Sequence, residues 1–479
     1  MFSGRHSPAE VLSMPGPSES FPLDALSIDR LLEGPPSSDP VQVREILARA
    51  RSLQGLAEAD LPPLMALRDP GLLEELFHTA RWVKEAIYGR RIVLFAPLYV
   101  SNLCGNECLY CAFRASNRTL PRRALAQAEI AAEVRHLLAQ GHKRVVLVAG
   151  EAYPEEGLDY ILKAIRTVYD TREGADGIRR VNVNIAPLEV DQFRRLGEAQ
   201  IGTYQLFQET YHRETYAAMH LRGLKADFDW RLGCMDRAML AGIEDVGIGA
   251  LFGLHDWRFE LLALLRHARH LEQRFGCGPH TISVPRIEPA AGSETSATPP
   301  FAVTDADFRK LVAILRLAVP YTGLILSTRE RPEVRREALQ LGISQISAGS
   351  RTNPGGYGED PDTDGGAQFS LGDHRGLDEV VRDLAESGFI PSFCTGCYRM
   401  GRTGADFMDL ARPGEIKLHC QPNALSTLQE FLEDHASPAT REAARILVRD
   451  SLAGMEGRAR ARAEAMLAQV EAGRRDVFC

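Results

Sequence analysis

The stretch Cys104-Gly-Asn-Glu-Cys108-Leu-Tyr-Cys111 constrains this chain more than any other. Its three thiols, separated by three and then two residues on a Gly/Asn-containing loop, directly follow the apolar run Ile92 to Val100. Cysteine thiolates are the soft ligands that iron–sulfur clusters and zinc prefer, and close spacing lets one loop supply several of them. A structural zinc or a four-cysteine cluster needs a fourth donor nearby, yet the next cysteine is Cys234. Three thiols hold three irons of a cubane and leave the fourth iron open to a ligand; the alternative is a coincidence of cysteines on a loop.

With an aromatic, Tyr110, before the last cysteine, this spacing resembles the signature of the radical S-adenosylmethionine (SAM) enzymes. The resemblance implies a 4Fe-4S cluster whose open iron is chelated by the amino and carboxylate groups of SAM. It also implies a low-potential electron donor, such as ferredoxin or flavodoxin, whose electron passes through the cluster to cleave SAM to a 5′-deoxyadenosyl radical.

Nine cysteines in 479 residues are too sparse for a disulfide scaffold, and six of them fall into two groups, which is metal arithmetic in a reducing compartment. A net charge of −8 leaves no basic footprint for nucleic acid. No apolar run approaches the roughly 18 residues of a membrane span, and no basic region followed by an apolar one opens the chain. The expected address is the cytoplasm, with no nucleic-acid or membrane partner.

Residues 1–38, rich in Ser, Pro and Gly, read as a mobile or loosely docked arm. Residues 39–88 show helical periodicity (Val41, Val43, Ile46, Leu47, Ala50; Leu72, Leu73, Leu76, Phe77, Ala80, Val83) and read as a helical extension. From residue 89 to 352 eight short β-branched runs alternate with amphipathic helix patterns: 92–99, 145–148, 181–185, 204–207, 246–250, 281–284, 324–327 and 343–347. This rhythm predicts an α/β fold of the (β/α)8 TIM-barrel type, whose active site lies at the C-terminal ends of the strands. A Gly/Asp-rich loop or lid and a connecting helix follow over 353–385, and 386–479 is a mostly helical domain carrying the second cysteine group.

Strand-end residues supply the candidates around the first cluster. Ala149-Gly150-Glu151 resembles the Gly-Gly-Glu element with which radical SAM enzymes hold the SAM amino group, Ala149 replacing the first Gly; a plain strand-end turn is the alternative. Glu209 follows the fourth strand, and Asn182 and Asn184 alternate on the third, so both face one side, the lumen in a barrel, where they need a ligand or, as the alternative, a structural hydrogen-bond network. Arg286, and Ser327-Thr328-Arg329 after the seventh strand, place two guanidinium groups at barrel-top positions, where they can bind the carboxylate of SAM or of an amino-acid substrate, or a neighbouring helix. Gly247-Ile-Gly249-Ala-Leu-Phe-Gly253 misses the dinucleotide fingerprint and reads as tight strand-end packing.

Cys394-Thr-Gly-Cys397 and Cys420, 22 residues on, form a second three-thiol set. Zinc with His419 as fourth ligand is the alternative to a second iron–sulfur cluster. The sequence 394–408 from Cys394-Thr-Gly-Cys-Tyr-Arg-Met-Gly, Cys420-Gln-Pro-Asn-Ala-Leu, Val181-Asn-Val-Asn-Ile-Ala-Pro, Phe207-Gln-Glu-Thr-Tyr-His and Gly278-Pro-His-Thr-Ile-Ser-Val-Pro-Arg resemble the HydG family of tyrosine lyases, over residues 40 to 435. The family matures the active-site cluster of FeFe-hydrogenase, alongside other hydrogenase maturases. The resemblance implies that L-tyrosine is cleaved at Cα–Cβ to p-cresol and dehydroglycine. Dehydroglycine then becomes CO and cyanide at a second 4Fe-4S cluster on Cys394, Cys397 and Cys420. These are loaded on an additional iron, bridged to that cluster by free cysteine, as an iron-carbonyl-cyanide precursor.

His280 opens the sixth strand and so lies near the barrel bottom, where neutral imidazole suits the additional iron; a capping histidine in a Gly-Pro turn is the alternative. His267 and His270, three apart, share a helix face that reads as solvent-facing polarity rather than a metal site. Two competing functions are a ThiH-like 2-iminoacetate synthase for thiazole biosynthesis, which leaves the second cysteine group unexplained, and a non-enzymatic metal-binding module, which leaves the strand-end Glu and Arg residues unexplained.

Overall fold

The computed structural model describes residues 21–34, 39–154, 156–358 and 366–479. The eight apolar runs form eight parallel strands: β1 Arg91–Ser101, β2 Arg144–Ala149, β3 Arg180–Asn184, β4 Tyr204–Gln205, β5 Val246–Gly249, β6 Thr281–Ser283, β7 Gly323–Leu326 and β8 Gln345–Ser347. Each pairs with the next, and β8 pairs back onto β1 from Val93↔Gln345 to Phe95↔Ser347, which closes the barrel. On β1, Val93, Phe95, Pro97 and Tyr99 line the two lumen cavities, while Ile92, Leu94, Ala96 and Leu98 are fully buried among the core residues. Both faces are covered, so the strands read as continuous apolar runs rather than alternating ones.

Helices between the strands include Gln127–Ala139, Leu158–Asp170, Val190–Glu198, Trp257–Phe275, Asp305–Ala318 and Pro332–Leu341. Their starts are set by local chemistry: the Asp256 and Thr304 side chains accept from Arg258 N and Asp307 N, and Pro332 occupies a first turn whose N–H has no helical partner. The extension folds as Pro40–Ala50 and Pro70–Tyr88, each begun by an Asp–Pro pair.

The arm differs from its sequence expectation. Residues 1–20 and 35–38 lie outside the described residues, but Ala25–Glu33 is a helix packed on Trp257–Phe275. Ile28 is fully buried, Arg266 donates to Asp24 O and Ser27 Oγ, and Phe21 stacks on His267 at 5.0 Å. The expected solvent-facing histidines are therefore covered. His267 Nδ1 meets the Tyr211 hydroxyl at 2.8 Å, and His270 meets Asp236 at 2.7 Å.

Besides a two-stranded ribbon of Arg172–Glu173 and Asp176–Gly177, one strand added to the barrel sheet was not foreseen. After the helix Leu377–Glu386, β9 (Ile390–Ser392) pairs in parallel with Arg91–Val93, below the residues of β1 that pair with β2. It delivers the Cys394–Cys397 turn to the N-terminal mouth of the barrel. Cys420 comes from the helix Lys417–Asp434, and the chain ends against that helix, with Cys479 N donating to Asn423 Oδ1 at 2.8 Å.

Candidate functional site

The lumen opens at its two ends into two thiol-lined cavities. The upper one encloses about 1430 Å³ of non-atom space, mouth included, and is lined by Cys104, Cys108 and Cys111. Around the thiols pack Tyr99, Ala112, Phe113 and Leu120. Burial pushes all three thiols above their ordinary value, so a metal must displace their protons to bind.

Gly150 brings the β2 end against this loop. A Cβ there would meet Leu103 O at 2.2 Å, and Gly150 N donates to Ser101 O at 2.9 Å. Next to it the Glu151 carboxylate accepts from Asn106 Nδ2 at 2.8 Å and Arg231 Nη1 at 2.9 Å. Burial raises the Glu151 carboxyl, but Arg231 and Lys225 outweigh it and hold the group below the ordinary carboxylate range. Glu209 is balanced in the same way and pairs with Lys225 Nζ at 2.6 Å. Its φ of +74° is rare for a non-glycine residue, a strained backbone of the kind that clusters at functional sites. Tyr110 completes this side through a 2.8 Å bond between its hydroxyl and His220 Nε2.

Arg329 and Ser327 lie across the cavity on the loop after β7. Burial lowers the Arg329 guanidinium, which sits 3.2 Å from the Phe369 ring centroid and makes no ion pair among the described residues. It is therefore available to an incoming carboxylate. Asn184 also lines the cavity.

For two residues the structure favours the structural alternative. Arg286 is engaged by Glu330 and Asp305, through bonds of 2.8 Å to each and a further short one to Glu330, and is not among the cavity-lining residues. Asn182 spends its Oδ1 on Thr203 N at 3.0 Å, as a strand-to-strand tie. Sequence reasoning missed Asn106, Lys225 and Arg231, which lie on the cluster loop and on helical segments after β4, and the lid residues Gln368 and Phe369. Gln368 accepts from the Tyr99 hydroxyl at 2.7 Å and donates to Cys111 Sγ at 3.7 Å. The local signal for Asn106 was its place between the cysteines; the others carry none.

The lower cavity encloses about 540 Å³ of non-atom space and is lined by Cys394, Cys397, Cys420 and His280, with Arg91, Arg144 and Tyr398. A bond from Cys397 lowers the Cys420 thiol below its ordinary value, burial opposing and Arg91 assisting. Burial lowers His280, which keeps its imidazole neutral, and its Nδ1 faces Asp245 Oδ1 at 3.4 Å without a hydrogen bond among the described residues. Three thiols and a neutral imidazole fit a cluster and an adjoining iron. His419 is not the fourth ligand of a zinc site here, because it turns to Arg462 at 3.2 Å and does not line the cavity. Cys234 is a buried thiol 3.4 Å from the Tyr204 hydroxyl.

Between the two cavities the lumen wall is apolar at Phe95, Val146 and Ile325. Glycines narrow the opposite side: a Cβ on Gly247 would meet Thr281 Oγ1 at 2.4 Å, and one on Gly249 would meet Phe207 and the Ser283 carbonyl below 3.0 Å, the close packing expected of that stretch. No helix among the described residues is long and apolar enough to cross a membrane.

Residues 98–266 match the radical SAM superfamily model, and residues 283–390 match the biotin and thiamin synthesis associated domain. A 2-iminoacetate synthase of Escherichia coli K12 is 34% identical over 72% of this chain and 88% of its own length. A crystal structure of HydG, a maturase of the [FeFe]-hydrogenase, superposes with a TM-score of 0.91 at 47% identity over 95% of this chain and 99% of that one. HydG from Carboxydothermus hydrogenoformans gives 0.79 at 40% identity, covering 92% and 96% of the two chains.

Proposed function

Since the chain belongs to the radical SAM family that holds the HydG maturases and the 2-iminoacetate synthases, we propose that it cleaves L-tyrosine to p-cresol and dehydroglycine at the upper cavity. Dehydroglycine is then converted to CO and cyanide at the lower one, where an iron-carbonyl-cyanide precursor is built for FeFe-hydrogenase assembly. The observation that carries this reading is the second cavity, with Cys394, Cys397, Cys420 and His280 at the mouth opposite the first cysteines.

The cluster on Cys104, Cys108 and Cys111, with SAM bound, supplies a 5′-deoxyadenosyl radical. The chain's own residues bind, orient and shield. Glu151 and Glu209, held ionised by Arg231 and Lys225, receive the ammonium group and the hydroxyls of SAM near Asn184 and Tyr110. Arg329, unpaired and desolvated, takes the tyrosine carboxylate, with Ser327 beside it. Gln368 and Phe369 cover the cavity and exclude water.

Dehydroglycine hydrolyses readily, so the closed lumen past Phe95, Val146 and Ile325 protects it in transit. At the lower end Cys394, Cys397 and Cys420 would hold the second 4Fe-4S cluster, and His280 would present a neutral imidazole to the iron that is assembled as cargo. A low-potential donor supplies electrons, and other hydrogenase maturases receive the product.

The test is anaerobic: the protein, reconstituted with iron and sulfide, receives SAM, tyrosine, cysteine and a strong reductant, and p-cresol and CO are assayed together. Both products are expected. Formation of p-cresol without CO favours the 2-iminoacetate synthase reading, and neither product from protein with intact clusters sinks the tyrosine-lyase assignment.

A further inference from the structure

Three strands begin with arginine at the lower mouth: Arg91 on β1, Arg144 on β2 and Arg180 on β3. Arg91 and Arg144 line the cavity of the second cysteines and are only 6% and 4% exposed. Arg91 leaves Nε and Nη1 without any hydrogen bond, and Arg144 leaves Nε. Arg144 gives Nη2 to the Tyr398 hydroxyl at 2.9 Å, and the Arg180 guanidinium stands 3.9 Å from the centroid of the same ring. None of the three meets a carboxylate among the described residues.

Three other buried arginines of this chain have carboxylate or carbonyl partners. Arg231 is paired with Glu151, Arg335 with Asp373, and Arg316 bonds three carbonyls. Arg91 has the Cys420 thiol beside it but Arg144 has no acid partner among the described residues, and a buried guanidinium without a counter-ion costs several kcal/mol, so the pair marks a place kept for an anion. The acid at hand is Asp245, 3.4 Å from His280 Nδ1 and already accepting from Gly404 N. The free N–H groups of Arg91 and Arg144 are of the kind that pair with a carboxylate.

We propose that Arg91 and Arg144 form a carboxylate-binding subsite at the second cysteine cavity, holding a small 2-amino or 2-imino acid there. The proposal rests on the functional reading above and names the protein groups that hold its organic ligand. Free cysteine and dehydroglycine share the required chemistry.

The test takes the full-length protein with both clusters and no SAM, and titrates the EPR signal of the reduced second cluster with L-cysteine and with cysteamine, which keeps thiol and amine but lacks the carboxylate. Wild type is expected to prefer cysteine by about tenfold or more, the worth of a charged hydrogen-bonded pair. Arg91→Gln and Arg144→Gln each bring the two ligands within about threefold, and Arg144→Lys restores part of the preference. Iron and sulfide analysis verifies the second cluster. Because Arg91 also borders Cys420, the Arg144 variants decide if Arg91→Gln loses it.

A second arm adds SAM and tyrosine. Glyoxylate rising at constant p-cresol assigns the subsite to dehydroglycine, and weakened cysteine binding alone assigns it to free cysteine. An unchanged cysteine preference in Arg144→Gln with its cluster intact, or no preference in wild type, overturns the proposal. Failure of wild type to make p-cresol would instead remove the tyrosine reading and leave the cysteine–cysteamine comparison standing.

Discussion

Replacing Gly150 by alanine tests whether the end of β2 positions the first cysteine loop. The added methyl would lie 2.2 Å from Leu103 O, 2.9 Å from Leu103 C and 3.2 Å from Asn102 C, all backbone atoms immediately before Cys104. No rotamer change relieves a backbone clash, so the loop must retreat by about 0.8 Å to reach the 3.0 Å limit seen for real Cβ contacts. Overpacking of this kind costs about 1–3 kcal/mol, which a chain of this size survives. A displacement near 1 Å at a reacting centre costs about 100-fold in rate. Gly150→Ala is therefore expected to fold, to keep the second cluster, and to lose p-cresol formation by about two orders of magnitude. Gly105→Ala, in the same loop with nothing within 4 Å of its Cβ, is the control and should stay within twofold. Thermal unfolding, iron content and a p-cresol time course read the outcome. Wild-type turnover by Gly150→Ala would refute the argument that this contact sets the geometry.

Four further outcomes are expected. Cys394→Ser and Cys397→Ser should preserve p-cresol and abolish CO in the same reaction; loss of both products would mean that the two ends do not act separately. Ile325→Trp, which fills the apolar lumen wall, should leave p-cresol within about twofold and divert dehydroglycine to glyoxylate, and an unchanged CO yield counts against the protected path. Arg329→Met should raise the KM for tyrosine by about 10- to 100-fold through loss of a charged hydrogen bond, and an unchanged KM removes Arg329 from substrate binding. Burial raises the Glu260 carboxyl to about 8, so this group's contribution to stability is full below its unfolded value near 4.3 and falls as pH rises through about 8; Glu260→Gln should flatten that fall in a series of Tm against pH, and an unchanged slope refutes it.

What could be read in advance follows from the range over which each residue's partners are chosen. The eight strands are legible because each is a local apolar run covered on both faces, and both cysteine sets because their spacing is itself the ligand geometry. His280 could be placed at the lower cavity because strand direction fixes which end a first residue occupies. For Arg286 and Asn182 the sequence left a ligand and a structural partner equally open, because their partners, Glu330 and Asp305 for one and Thr203 for the other, are set by tertiary packing. Arg231 and Lys225 carry no local mark: each is an ordinary basic residue until the fold brings Glu151 and Glu209 to it. The N-terminal helix was hidden by its proline-rich neighbourhood, although Phe21 and Ile28 anchor it.

Strand β1 is shared property. Its eleven residues pair with β8 through Val93–Phe95, with β2 from Ala96 onward and with β9 through Arg91–Val93, so Val93 has partners from the barrel and from the C-terminal segment at once. Proteolysis or gene truncation after residue 386 would strip hydrogen bonds from the lower end of β1 and leave a raw, adhesive edge. The two halves are therefore expected to melt in one transition. A barrel produced alone should be recovered as aggregate rather than as a working half-enzyme.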